Sequence, residues 1–509
     1  MPDAPSISTL GDLKASGYRP RSVKDEIRAN LMGALRAGDD VFAGLLGYDK
    51  TVIPQVQNAL LGRHDFILLG LRGQAKSRLV RALPNLMDEW VPEVEGSEIH
   101  DDPLDPVSKF ARDLVAEKGD DTPVAWLHRS ARYGEKLATP DTSIADLIGD
   151  IDPIKAATRK LTYADEEVIH FGIIPRTHRG IFAINELPDL QPRIQVGLLN
   201  IMEEQDIQIR GFNIRIPIDV LMVFTANPED YTNRGSIITP LKDRIDSQIL
   251  THYPKSLDIG VEITRQEAWA DRDGVTVHIP HVYREIVEQV AFEARASEYV
   301  DQKSGVSARL TRAALEDLIS AAERRALLND EAETTIRASD LQAIEPAVTG
   351  KVELVYEGEQ EGAQGVARAL IGKAIASTVK RYLPDPGEKS DKGTGRDAYS
   401  AVLRWFSQGN TVELDPEMPF DAYAKTLDGV DGLGAVIDAH TSPASPAEKA
   451  SMMELALEAL HQHSLLGKDL EADAATYADM VGSVLSGLGS FGSDDDGDDF
   501  DEDDYRRYG

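Results

Sequence analysis

From Ile67 to Ser77 the chain reads Ile-Leu-Leu-Gly-Leu-Arg-Gly-Gln-Ala-Lys-Ser. An apolar run of strand type feeds a glycine-bearing loop that ends in Lys-Ser, and a helical pattern begins at Arg78-Leu79-Val80. This is the layout of a P-loop, in which backbone N–H groups and a helix N-terminus cradle phosphates. Gly70, Gly73, Gln74, Ala75, Lys76 and Ser77 form the expected cradle for ATP. Lys76 neutralises the β/γ-phosphates there, and the Ser77 hydroxyl ligates Mg²⁺. The loop departs from G-x-x-x-x-G-K-[ST] at Ala75, whose methyl is tolerated as long as φ stays negative.

Two further apolar runs end in polar groups. Gly180-Ile181-Phe182-Ala183-Ile184-Asn185-Glu186-Leu187 delivers an amide and a carboxylate, and Val220-Leu221-Met222-Val223-Phe224-Thr225-Ala226-Asn227 delivers an amide. Buried strands that end this way place these groups in the crevice where α/β proteins bind ligands. ATP hydrolysis needs an acceptor for the Mg²⁺ water shell and a carboxylate to polarise the attacking water. Glu186 fits the second role. Asn185 stands where an aspartate is usual, so it can accept from a metal-bound water but brings no negative charge. Asn227 is placed to hold the water or the γ-phosphate.

With these residues in view, the chain resembles the branch of AAA+ ATPases that contains the magnesium chelatase ATPase subunit and the MoxR-type ATPases. An Ala-Lys-Ser ending to the P-loop is common in that branch. Asn185-Glu186-Leu187-Pro188-Asp189-Leu190 followed by Leu198-Leu199-Asn200-Ile201-Met202-Glu203-Glu204 is close to its Walker B signature. Ile207 to Pro217 resembles the β-hairpin before sensor 1, and Asn227-Pro228-Glu229-Asp230 the sensor 1 motif. Leu241-Lys242-Asp243-Arg244-Ile245 is similar to the segment with the arginine finger. Arg244 is the preferred finger and Arg234 the next candidate. Val306-Ser307-Ala308-Arg309-Leu310 resembles sensor 2, with Arg309 preferred over Arg312. The resemblance covers about residues 40 to 350. It also places Tyr48 and Val52 at the start of the adenine pocket, and makes Trp126-Leu127-His128-Arg129 the strand between the two Walker strands.

The elements that must position these groups follow from patterning. Ser22 and Asp25 have capping-box spacing before an amphipathic stretch, so a helix starts there. The expected fold is an α/β P-loop AAA+ core, a parallel sheet with flanking helices, plus an α-helical lid and a helical C-terminal region. In residue numbers this is an N-terminal helical extension over 1–40, the core over 41–255 and the lid over 256–383. A Pro/Gly/Lys-rich linker over 384–395, helices over 396–488 and a tail over 489–509 complete the chain. Ser493 to Asp504 holds nine acidic residues, a block that self-repels and reads as a disordered tail. Phe500 and Tyr505 are its candidate docking anchors. His170 and His178 lack a third ligand in any motif and are expected to be core or solvent-facing histidines.

Composition narrows the class. The chain has 509 residues, enough for two to four domains, and contains no cysteine, which excludes disulfides and thiolate metal sites. The polar start and the lack of any long apolar span predict a cytoplasmic protein with no membrane contact. A net charge of −33 argues against a general grip on nucleic acid. The resemblance implies a homo-oligomeric ring of six subunits that binds ATP and Mg²⁺ between neighbours. Its implied output is remodelling of a protein client, typically one with a von Willebrand factor A domain. A MoxR-like chaperone and a magnesium-chelatase motor both fit. A nucleotide-gated scaffold with little turnover is the alternative that Asn185 motivates.

Overall fold

A computed structural model describes residues 4–160, 165–208, 215–228, 236–390, 393–471 and 474–480. The chain divides into two compact units, residues 1–255 with 303–307, and 256–302 with 308–509.

The first unit is built on five strands: β1 (Phe66–Leu69), β2 (Tyr133–Leu137), β3 (Gly180–Asn185), β4 (Val220–Ala226) and β5 (Ser247–Leu250). They lie side by side in the order β5-β1-β4-β3-β2, all parallel. Every residue of β1, β3 and β4 is buried, as a parallel sheet covered on both faces requires. The alternation is visible in the packing. Ile67, Leu69, Phe182, Ile184, Met222 and Phe224 join one core with Leu187, Ile194 and Leu198. Their neighbours Phe66, Leu68, Ile181, Ala183, Leu221 and Val223 join the other, opposite in facing because side chains alternate along a strand.

Three helices precede β1 in the chain, α1 (Leu10–Ala15), α2 (Val23–Ala37) and α3 (Val52–Leu61), and α4 (Lys76–Ala82) comes after it. The Ser22 side chain caps α2 by accepting from the Asp25 N–H at 3.1 Å, where the spacing put a helix start. α2 belongs to the core rather than hanging off it. Val23, Ile27 and Leu31 are fully buried against α3 and the sheet. Glu26 meets Arg132 through two hydrogen bonds of 2.8 and 2.6 Å in the interior.

The strand expected at Trp126–Arg129 is displaced. Val124–His128 is extended, but it pairs antiparallel with Trp90–Val94 outside the main sheet, whose edge is taken by Tyr133–Leu137. The hairpin expected from Ile207 is present, with Asp206–Gln208 paired antiparallel to Arg215–Pro217. Residues 209–214, which join its strands, lie outside the described residues, as do Glu229, Asp230, Arg234 and the acidic tail with Phe500 and Tyr505.

The second unit is mainly helical, with long helices at His281–Ala296, Arg309–Leu328, Ala363–Val379 and Pro446–Gln462. Beyond residue 396 the expected helices are joined by a three-stranded antiparallel sheet that periodicity did not show, Val412–Leu414, Ala474–Ala478 and Gly467–Glu471. Residues from both sides of the 384–395 linker share this unit's core. Glu454 is 1% exposed and accepts from the Ala338 and Ser339 N–H groups and from the Tyr423 hydroxyl. Among the described residues no helix is long and apolar enough to cross a membrane.

Candidate nucleotide site

The strand pairings align the C-terminal ends of the sheet. Leu69 lies opposite Ala226 on one side and Leu250 on the other, and Asn185 lies opposite Leu137. The residues that follow, Gly70, Asn227, Glu186 and Thr251, therefore gather on one edge.

Lys76 and Asn227, which are 151 positions apart, meet there. Lys76 Nζ donates to Asn227 Oδ1 at 3.0 Å, to the Leu71 carbonyl at 3.1 Å and to the Gly70 carbonyl. The ammonium is thus aimed at the mouth of the loop by three oxygens. Ser77 is exposed at the start of α4. Gly73 has φ of +75°, and a Cβ at Gly70 would overlap the Thr251 hydroxyl and the Gln74 side-chain carbonyl. Both glycines are therefore required by the loop's shape.

Ala75 overturns an expectation. Its φ is +52° and ψ +18°, in the left-handed region, so the methyl sits where it costs about 1–2 kcal/mol relative to glycine. Glu186, directly after β3, is also left-handed at φ +54°. Two of the candidate residues thus carry backbone strain, which a site retains only when its surroundings fix it.

Asn185 is held by both ends of its amide. Nδ2 donates to Glu135 Oε1 at 2.6 Å and Oδ1 accepts from the Thr225 hydroxyl at 3.1 Å. Thr225 Oγ1 also accepts the Glu186 N–H at 3.2 Å, so one side chain of β4 links the whole Asn-Glu pair to the neighbouring strand.

The residues after β5 support the loop from the other side, and nothing in their composition marked them. Thr251 Oγ1 donates to Gln74 Oε1 at 2.7 Å, and the Tyr253 hydroxyl to the Arg72 carbonyl at 2.8 Å. Tyr48 stands with them. Its hydroxyl donates to the Gln74 carbonyl at 2.7 Å, its ring meets His252 edge-on at 5.1 Å, and burial pushes its pKa up to about 12. Tyr48 therefore positions the loop as a neutral donor. Val52 is fully buried at the head of α3.

Other predicted residues stand on other elements. Arg244 closes the helix Thr239–Arg244, where Nε donates to Glu203 Oε2 at 2.8 Å and NH1 to the Pro240 carbonyl at 2.9 Å. Arg309 is exposed in the first turn of its helix in the second unit, and Arg312 pairs with Glu316 at 3.6 Å. His178 is a core residue: its Nδ1 accepts the Asp219 N–H at 2.9 Å. His170 is exposed, 3.5 Å from Arg176.

No family model matches the chain. The magnesium-chelatase subunit ChlI of Nostoc sp. (strain PCC 7120) is 24% identical over 242 residues, covering 46% of this chain and 60% of that protein. The ChlI subunit of Nephroselmis olivacea is 26% identical over 246 residues, 46% of this chain and 62% of that protein. The chain is a relative of the magnesium-chelatase ChlI subunits. It spans about three fifths of the length of these relatives. A cryo-EM-based structure of the complex between the BchI and BchD subunits of magnesium chelatase aligns with 19% identity, over 63% of this chain and 98% of that one. Its TM-score is 0.33. With its parallel five-stranded sheet covered by helices, the first unit is an α/β core.

Proposed function

We propose that the protein is a ring-forming AAA+ ATPase that couples ATP hydrolysis to remodelling of a partner protein. The observation that carries the reading is the meeting of Lys76 Nζ with Asn227 Oδ1 at 3.0 Å on the C-terminal edge of the sheet. It joins the loop cation to the amide expected to face the γ-phosphate. The donor set fits a Mg²⁺-nucleotide: an ammonium, an exposed hydroxyl at the head of α4, a left-handed loop and a carboxylate one residue past β3.

In this reading Gly70, Gly73, Gln74 and Ala75 surround the phosphates and Lys76 offsets their charge. Ser77 and Asn185 hold Mg²⁺, which when bound neutralises charge on the phosphate oxygens. Glu186 accepts from the attacking water and Asn227 orients it. Arg244 from an adjacent subunit and Arg309 from the lid offset the charge that develops. Arg244 can act this way only after leaving Glu203, and only across a subunit boundary.

The partner is a protein client, with a von Willebrand factor A domain as the type that the sequence motifs' resemblance implies. Nucleotide affinity tests the reading. Lys76→Ala is expected to lose binding of a fluorescent ATP analogue by at least about 100-fold, while Glu186→Gln keeps it. Equal affinity in wild type and Lys76→Ala would overturn the assignment of the loop.

A further inference from the structure

Asn185 lacks the negative charge usual at the end of β3, yet a carboxylate touches it. Glu135 lies on β2, two residues before Leu137, the register partner of Asn185. Residues two apart on a strand share a face, so Glu135 and Asn185 point to the same side of the sheet. Glu135 Oε1 accepts from Asn185 Nδ2 at 2.6 Å, and the Thr225 hydroxyl fixes the other end of that amide.

The helix of the loop reaches the same carboxylate. Arg81 Nε donates to Glu135 Oε2 at 2.9 Å and NH2 to Oε1 at 3.1 Å, and the Tyr133 hydroxyl adds a bond of 3.0 Å. Arg81 follows Ser77 by four residues in α4, so both side chains stand on one helix face, leaning toward its N-terminus. Glu135 is therefore placed along the face that carries the Ser77 hydroxyl. Its two oxygens accept four hydrogen bonds, from the Arg81 guanidinium, the Tyr133 hydroxyl and the Asn185 amide.

We propose that Glu135 supplies the charge that Asn185 does not, so that β2 and β3 together present the acceptor for the water shell of a nucleotide-bound divalent cation. The acid has moved one strand over rather than been lost. This rests on the proposed nucleotide site. The rival role for Glu135 is a plain tie between β2 and α4 through Arg81.

The test is the magnesium contribution to nucleotide affinity: the ratio of affinities for a fluorescent ADP analogue in Mg²⁺ and in EDTA. Outer ligands of metal sites typically contribute about 10–100-fold to metal affinity. Glu135→Gln is expected to lower the ratio about 10-fold with affinity in EDTA unchanged, and Asn185→Asp added to Glu135→Gln to restore it. Arg81→Met, which removes the tie but keeps the carboxylate, should leave the ratio intact or raise it.

An unchanged ratio in a folded Glu135→Gln overturns the inference while leaving the nucleotide reading standing. Should Glu135→Gln not fold, a fall of the ratio in Arg81→Met overturns the inference, and a maintained or raised ratio supports it. A wild type that binds no nucleotide in either buffer overturns both.

Discussion

Ala75 holds its left-handed conformation directly before Lys76, where a glycine would sit without cost. Ala75→Gly should therefore stabilise the protein by about 1 kcal/mol, the relief of αL strain less the extra backbone entropy of glycine. Urea unfolding measures this, and a loss of stability would mean the methyl makes a contact worth more than the strain. His178 gives a prediction in pH. Burial, followed by the nearby Arg179, depresses its pKa to about 3, with Asp101, His100 and Arg132 also facing it. The unfolded chain takes up this proton near the ordinary value of about 6.5 and the folded chain does not until about 3. Stability should thus fall as pH drops through that window, by up to about 1.4 kcal/mol per pH unit. His178→Asn keeps an acceptor for the Asp219 N–H and should flatten the slope of the urea midpoint between about pH 7 and about pH 5. Residue types alone could name Lys76, which ends the glycine-bearing loop, and Asn185, Glu186 and Asn227, which end apolar runs. The sign of φ at Ala75 was not legible, since it depends on the path that Thr251, Tyr253 and Tyr48 impose on the loop.

Among the elements, the strands buried on both faces were the legible ones. β1, β3 and β4 read as continuous apolar runs because helices cover both sides of the sheet. β2 did not, for a physical reason: Tyr133-Gly134-Glu135-Lys136-Leu137 is an edge strand whose charged residues face outward or toward the site. The more apolar stretch at Trp126–Arg129 reads as the strand instead, and most of it falls in Val124–His128, which forms a separate hairpin. Glu135 was missed with its strand. The capping spacing of Ser22 found α2, but not that α2 would supply a buried acid to Arg132. Removing one partner of a buried pair leaves a charge with no counter-ion, at a cost of about 3–5 kcal/mol. Arg132→Met should cost about 3 kcal/mol or more in equilibrium unfolding, and Glu26→Leu added to it should recover part of the loss. A single-variant cost under about 1 kcal/mol would show that α2 is held by its apolar face alone.

At the scale of the whole molecule, the chain pairs an α/β core with a mainly helical unit that absorbs residues on both sides of the 384–395 linker. The linker's Pro and Gly content marked a break in pattern, but a local pattern carries no information on which distant segments share a core. Arg244 links the subunit to the assembly proposed for it. In a ring, Arg244→Ala should lower turnover by on the order of 10³-fold, the usual worth of an arginine finger, with nucleotide affinity unchanged. An equal fall in affinity and turnover would assign Arg244 a local role with Glu203 instead. Phosphate release measured beside bound ATP decides whether ATP is hydrolysed at the edge where Lys76, Asn227 and Glu186 gather. The wild type should release phosphate in a Mg²⁺-dependent way, whereas Glu186→Gln should bind ATP as tightly and retain it unhydrolysed. Undiminished release by Glu186→Gln, or no nucleotide bound by the wild type, would overturn hydrolysis at this edge.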